Sequence, residues 1–129
     1  MNKFEQKLIE LARATIDFSE AKKAYHVSFL IRGKRIESIG VNHMRKTHTL
    51  ANSYGSYIHS EVHSIIKYRG WNSNLTKCNL WNIRINKYEE ICNSRPCVPC
   101  QKVIGDFGIR RVYHTDDMGD FVDFKPIGV

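Results

Sequence analysis

Two short stretches hold the residues best suited to chemistry. In "YIHSEVHSII", His59 and Glu61 stand two apart inside a run whose isoleucines and Val62 otherwise form the apolar face of a helix. In "SRPCVPC", Cys97 and Cys100 follow Pro96. Zinc takes nitrogen and sulfur ligands in a tetrahedron, and three protein ligands leave the fourth position for a water. One histidine plus a CxxC pair supplies three. Residues three apart lie on the same side of a helical turn, so both thiols can reach one ion. Two thiolates offset the metal's double charge, and the positive ends of two helices, each contributing ~0.3 to 1 kcal/mol, would help support a bound hydroxide. Glu61 would hold its carboxylate beside that water without binding the metal.

Such a site needs two helix starts and a sheet to carry them. Phe4, Leu8, Leu11, Ala12, Thr15 and Ile16 recur at helical spacing and predict an amphipathic first helix. "HVSFLIRGKRIESIGV" alternates Val27, Phe29 and Ile31 on one side, reaches Gly33-Lys34, and resumes with Ile36 and Ile39. That reads as a hairpin with a Gly-first two-residue turn. From Asn42 to Ser56 no period survives, which predicts a long loop of the kind that often carries function. Ile58, Val62, Ile65 and Ile66 mark a second helix ending near Gly70. In "CNLWNIRIN", Trp81, Ile83 and Ile85 share one face of a strand. Beyond a loop, Cys97, Cys100, Ile104 and Phe107 share a helical face that stops at Gly108, and "IRRVYHT" and "FVDFK" read as closing strands. The order αββαβαββ implies an α/β fold in one domain, residues 1–129, with a five-stranded mixed sheet flanked by helices. "TDDMGD" is too short for a parallel crossover, so the last two strands are expected antiparallel.

The chain has 129 residues, four cysteines and a formal net charge of +7. That length suits one core without covalent staples. With no basic-then-apolar leader and no apolar run of spanning length, the expectation is a cytoplasmic protein without a membrane partner. In a reducing compartment, clustered cysteines are more often metal ligands or redox groups than disulfides. The positive charge is scattered in pairs, among them Lys22-Lys23, Arg45-Lys46 and Arg110-Arg111, and favours anionic partners such as nucleotides or nucleic acid.

Together, His59-Ser60-Glu61 and Pro96-Cys97-Val98-Pro99-Cys100 match the HxE and PCxxC signature of zinc deaminases acting on cytosine or adenine. The chain resembles the cytidine and deoxycytidylate deaminase-like superfamily over nearly its whole length, which implies the three-layer cytidine deaminase-like fold. The resemblance implies that His59, Cys97 and Cys100 bind zinc, which lowers the pKa of its water towards ~7. Glu61 would take the water's proton, deliver it to ring nitrogen N3 and later protonate the leaving amine, while hydroxide attacks C4 of a cytosine. Products would be uracil and ammonia. Asn42, in "GVN", matches the family asparagine that binds the sugar, and the backbone around Ser94, Arg95 and Pro96 the segment that meets the exocyclic amine. The middle residue of HxE is usually alanine or valine in the family; here it is Ser60, small enough to fit.

Plainer readings stand beside these. Cys97 and Cys100 could belong to a structural zinc site completed by Cys92 or Cys78, although the second CxxC of a ribbon is missing. His63, four residues after His59, could be a second helical ligand, but the HExxH order is absent and a substrate-side or merely exposed role is favoured. Asn42 could be a turn residue. His48 and Tyr57 are candidates for the pocket wall, as is Tyr54, though aromatic residues beside a helix start commonly just pack. Arg45 and Lys46 could meet a phosphate or simply be solvated. Cys78 and Cys92 read as ordinary buried thiols.

Substrate is read only indirectly. Antiparallel closing strands resemble the branch with free-nucleoside deaminases and some bacterial toxin deaminases, and the loop before the HxE helix resembles small deaminase-like proteins of phage and bacterial genomes. The basic balance suits a phosphate-bearing substrate. The leading expectation is deamination of a free pyrimidine nucleoside or nucleotide by a homo-oligomer. A deaminase of cytosine or adenine in single-stranded DNA or RNA, and a non-catalytic zinc-containing nucleic-acid-binding module, are the alternatives.

Overall fold

The computed structural model describes residues 1–16, 24–42, 59–69 and 74–126. Along them run helix α1 (Lys3–Thr15), strands β1 (Ala24–Arg32) and β2 (Arg35–Val41), helix α2 (Ser60–Arg69), strands β3 (Asn79–Asn86) and β4 (Ile91–Cys92), helix α3 (Val98–Asp106), and strands β5 (Val112–Thr115) and β6 (Phe121–Phe124). The order across the sheet is β2-β1-β3-β5-β6, the five expected strands. A sixth, β4, adds to this expectation: Ile91 and Cys92 pair with Ile85 and Arg84 beyond the end of β5. Two residues are too few to show a period, so the sequence reads them as loop. β3 and β5 are parallel with α3 in the crossover, and β5 and β6 are antiparallel, as the short "TDDMGD" connection requires.

Local chemistry explains the elements. Asn2 caps α1 reciprocally: its side chain accepts the Glu5 N–H at 2.8 Å, and the Glu5 carboxylate accepts the Asn2 N–H at 2.9 Å. Leu8 and Ala12 then turn into the core from the predicted face. In the hairpin, Arg32 pairs with Arg35 across Gly33-Lys34, and Gly33 takes φ +64°, which glycine adopts without steric cost. Ile36 and Ile39 are three apart, yet both pack on the α1 side. A bulge reconciles them: Leu30 opposes Ser38 while Ile31 opposes Ile36, so Glu37 has no partner and the alternation resets.

Three layers result. On one face Val27, Phe29, Ile31, Ile83 and Ile85 meet Leu8 and Ala12 of α1. On the other, Leu30, Leu80 and Val112 meet Val62 and Ile65 of α2 and Val103 and Ile104 of α3. Helix α2 lies so close to β2 that a Cβ on Gly40 would sit 2.3 Å from the Ser64 nitrogen and 2.4 Å from the Ser60 carbonyl oxygen. Glycine at this position lets the start of α2 rest on the strand backbone. Among the described residues, no helix is long and apolar enough to cross a membrane.

Candidate active site

Both motif-bearing helices start at the same end of the sheet. His59 directly precedes α2, and its carbonyl accepts the His63 N–H at 2.9 Å; Glu61 lies in the first turn. Cys97 is the N-cap of α3, with a proline in the first helical turn, where a missing N–H removes no intrahelical bond. Its carbonyl accepts the Gln101 N–H at 2.9 Å, while the Gln101 side chain donates to the Pro96 carbonyl at 2.9 Å and fixes the chain entering the helix. His59 Nδ1 lies 3.1 Å from Cys100 Sγ and 3.8 Å from Cys97 Sγ, and the three donor atoms fall within 4.8 Å of one another. A tetrahedral zinc bound at about 2.0 Å by nitrogen and about 2.3 Å by sulfur needs those donors roughly 3.5 Å apart. Donor types and spacing therefore fit a tetrahedral metal ion that prefers nitrogen and sulfur.

The electrostatics suit a cation there. Hydrogen bonds from Cys100 and His59 hold the Cys97 thiol down at about 4, so it is a thiolate at neutral pH, the form that binds metals. The bond to Cys97, reinforced by burial, pushes the Cys100 thiol far up, and the Cys97 bond raises His59 against the opposing effect of burial. Two helix N-termini add partial positive charge around the same atoms. Glu61 is only 4% exposed. Burial pushes its carboxyl above the ordinary range, opposed by its own backbone N–H, the His59 charge and the Ser60 hydroxyl. A carboxyl raised in this way exchanges protons more readily near neutral pH.

By sequence the chain matches no family model and no curated protein. Its structure does resemble solved ones. It is similar to the cytidine deaminase of Burkholderia pseudomallei, with a TM-score of 0.66, 16% identity, and 97% of this chain and 93% of that one covered. The dCMP deaminase of the cyanophage S-TIM5 is similar in its apo form, with a TM-score of 0.62, 17% identity and coverage of 91% and 86%. The same phage enzyme in complex with dCMP and dUMP gives a TM-score of 0.64 at 16% identity, with coverage of 91% and 85%. The fold is cytidine deaminase-like. Shared architecture over nearly the full length of both enzymes agrees with the three-layer expectation from the sequence motifs.

Within this deaminase-like fold the expected residues separate into groups. His59, Cys97 and Cys100 come together, with Glu61 beside them. His63 does not join: its Nδ1 accepts the Val41 N–H at 2.9 Å and ties α2 to the end of β2. Cys78 is buried in the apolar cluster under α2 and α3, and among the described residues neither it nor Cys92 belongs to the metal-capable group, against a structural site completed by Cys92 or Cys78. Asn42 prolongs the hairpin: its N–H donates to the His26 carbonyl at 3.3 Å and its Oδ1 accepts the His26 N–H at 3.1 Å. Ser94 is buried, and its Oγ donates to the Asn82 carbonyl at 2.6 Å. Pro96 is buried and Arg95 exposed, its guanidinium 4.0 Å over the Phe124 ring. His48 and Tyr57, like Tyr54, Arg45 and Lys46, lie outside the described residues.

Sequence reasoning passed over the strand residues beneath the site. Register places Ser28 opposite both Gly40 and Asn82, and His26 opposite Arg84, on the face that carries α2 and α3. His26 is held neutral, at about 4, by burial and then by the Arg84 charge, with His59 adding to it. Arg84 Nε is buried without a hydrogen-bond partner. The available signal was the alternate set on β3, Leu80-Asn82-Arg84, whose two polar members look like a solvent face only if that side of the strand is uncovered.

Proposed function

We propose that the protein is a zinc-dependent hydrolytic deaminase that converts the cytosine of a nucleoside or nucleotide to uracil, releasing ammonia. One observation carries this reading: a His/Cys/Cys group at two helix starts with a buried glutamate at its side, in a cytidine deaminase-like fold. His59, Cys97 and Cys100 would hold zinc; the ion, when bound, supplies the acidity that makes water a nucleophile at neutral pH. Glu61 carries protons. It takes one from the water that adds to C4 and delivers it to N3; it then takes the proton of the new C4 hydroxyl and passes it to the exocyclic amine, so that the C4–N bond breaks, C4 becomes a carbonyl and ammonia leaves. Carrying protons in both directions suits a carboxyl whose pKa burial has raised.

Asn42, at the end of β2, is assigned to the sugar, with its Oδ1 already fixed by the His26 N–H so that the side chain is preorganised. The Ser94-Arg95-Pro96 backbone is assigned to the exocyclic amine, and His48 and Tyr57 to the substrate side. A nucleotide is favoured over a nucleoside by the +7 charge, which suits an anionic substrate. The test is to incubate zinc-loaded protein with cytidine, deoxycytidine, their monophosphates, short single strands and tRNA, and to weigh the products. A one-dalton gain on a small substrate, in a larger fraction of the molecules for monophosphates, is the expected result. Gain confined to a polymer would replace this reading with polynucleotide deamination, and no gain anywhere would end it.

A further inference from the structure

Behind Glu61 lies a chain of buried polar side chains that neither metal binding nor proton transfer uses. Ser60 Oγ donates to Glu61 Oε1 at 2.9 Å. Ser28 Oγ lies 2.7 Å from Ser60 Oγ and 2.7 Å from Asn82 Oδ1. Asn82 Nδ2 then donates to the Ser94 carbonyl at 2.7 Å, and Ser94 Oγ returns a bond to the Asn82 carbonyl at 2.6 Å. Thr115 of β5 closes the far end, its N–H donating to Ser94 Oγ at 2.8 Å. Ser28 and Ser60 are 0% exposed, Asn82 1% and Ser94 2%.

Such groups are expensive under a helix layer unless every one is paired, and an apolar trio would pack these positions without that risk. One step further along the same face the sheet is apolar, with Leu30, Leu80 and Val112 side by side. The polar chain is therefore confined to the end of the sheet that faces Glu61. Donor counting gives it a direction. A serine hydroxyl has one proton, and for Ser60 the carboxylate is the strongest acceptor in reach, since Asn82 Oδ1 stands at 3.4 Å. The Ser28 hydroxyl then has one proton for two oxygens at 2.7 Å, Ser60 Oγ and Asn82 Oδ1, and serves one at a time, while the Asn82 Nδ2 donates to the Ser94 carbonyl on the segment leading into Pro96 and Cys97.

We propose that Ser60, Ser28 and Asn82 are positioning residues, which fix the Glu61 carboxylate and register it against the Asn93-to-Pro96 segment that leads to the metal-binding cysteines. None of the three touches substrate; they act through Glu61 and Ser94. The hydroxyl at position 60 is the joint, because alanine or valine there makes no bond to the carboxylate. This inference rests on the deaminase reading, and its test separates the two.

The experiment takes zinc-loaded wild type, Ser60→Ala, Ser28→Ala and Asn82→Leu, using whichever cytosine substrate the wild type turns over. Losing a hydrogen bond to a charged group predicts a kcat lower by about 10- to 100-fold for Ser60→Ala. KM stays within about twofold and zinc stays bound, because sugar and metal contacts are untouched. Ser60→Ala combined with Ser28→Ala should fall no further than the worse single variant, since both cut one chain. Unchanged kcat in folded, zinc-loaded Ser60→Ala overturns the proposal, and so does a loss of kcat that merely tracks lost zinc. Crystal structures of wild type and Ser60→Ala give a readout independent of turnover: the Glu61 carboxylate should leave its single position, and an unmoved carboxylate also overturns the proposal. An inactive wild type would instead defeat the deaminase reading, while the two crystal structures still decide the positioning role.

Discussion

The two faces of the sheet are built from the same strands, one residue out of step, and they solve different problems. Towards α1, Val27, Phe29, Ile31, Ile83 and Ile85 form a dry cluster that needs no partner chemistry. Towards α2 and α3 the alternate residues begin as core, with Leu30 and Leu80, then turn polar at Ser28 and Asn82 and ionisable at His26 and Arg84. One face is held by area removed from water, the other increasingly by matched donors and acceptors. The difference shows where stability is gathered and where it is given up for a site. It also makes the faces separable by mutation.

The largest expected effect lies on the polar face. Glu61→Gln should lower turnover by about 10²- to 10⁴-fold, the usual range for a lost general acid–base group, with zinc content and thermal midpoint kept. Normal turnover with zinc bound would show that Glu61 does not carry the proton. The dry face should respond the opposite way. Phe29, fully buried against α1, should cost about 3–5 kcal/mol in urea unfolding when replaced by alanine, while kcat per folded molecule holds. A fall in kcat as large as that of Glu61→Gln would mean that the two faces are coupled. Gly40→Ala tests the contact beneath the site. With a methyl 2.3 Å from the Ser64 nitrogen, α2 must lift, costing about 1–3 kcal/mol and lowering kcat together with stability.

The last effect concerns pH. Burial, then the Arg84 charge, holds His26 at about 4 in the folded chain, against 6.5 when unfolded. Between those values the unfolded chain binds the additional proton, so stability rises with pH across this window and is lost as pH falls from 6.5 towards 4. In metal-free protein, His26→Gln should flatten that part of the urea-stability profile. An unchanged slope would mean that His26 is not the group responsible.

Much of the architecture was legible in residue spacing. Hairpin, helices and antiparallel closing strands follow from period, turn chemistry and connection length, which are local properties. The site's donors were legible for a similar reason: HxE and PCxxC are short, and their geometry is set within one helical turn. What escaped is non-local. Ser60 reads as a tolerated replacement in the motif, and Asn82 as the outward residue of an alternating strand, because period 2 says which residues share a face but not whether that face is covered. Ile36 and Ile39 look out of phase until the bulge at Glu37 is seen. His63 has the spacing of a second helical ligand but not the HExxH order, and the structure shows what it does instead: its Nδ1 accepts the Val41 N–H, and it stands outside the His59-Cys97-Cys100 group.

By itself, then, the sequence determined the kinds of donor, their local spacing and the elements that carry them, since each depends on neighbours a few residues away. Only the tertiary structure decided that His59 meets Cys97 and Cys100 across some forty positions of chain, with Nδ1 3.1 Å from Cys100 Sγ, and that Ser28, Ser60 and Asn82 stand behind Glu61. Those meetings depend on strand register and on how closely α2 rests on Gly40, and both are set by packing across the whole sheet.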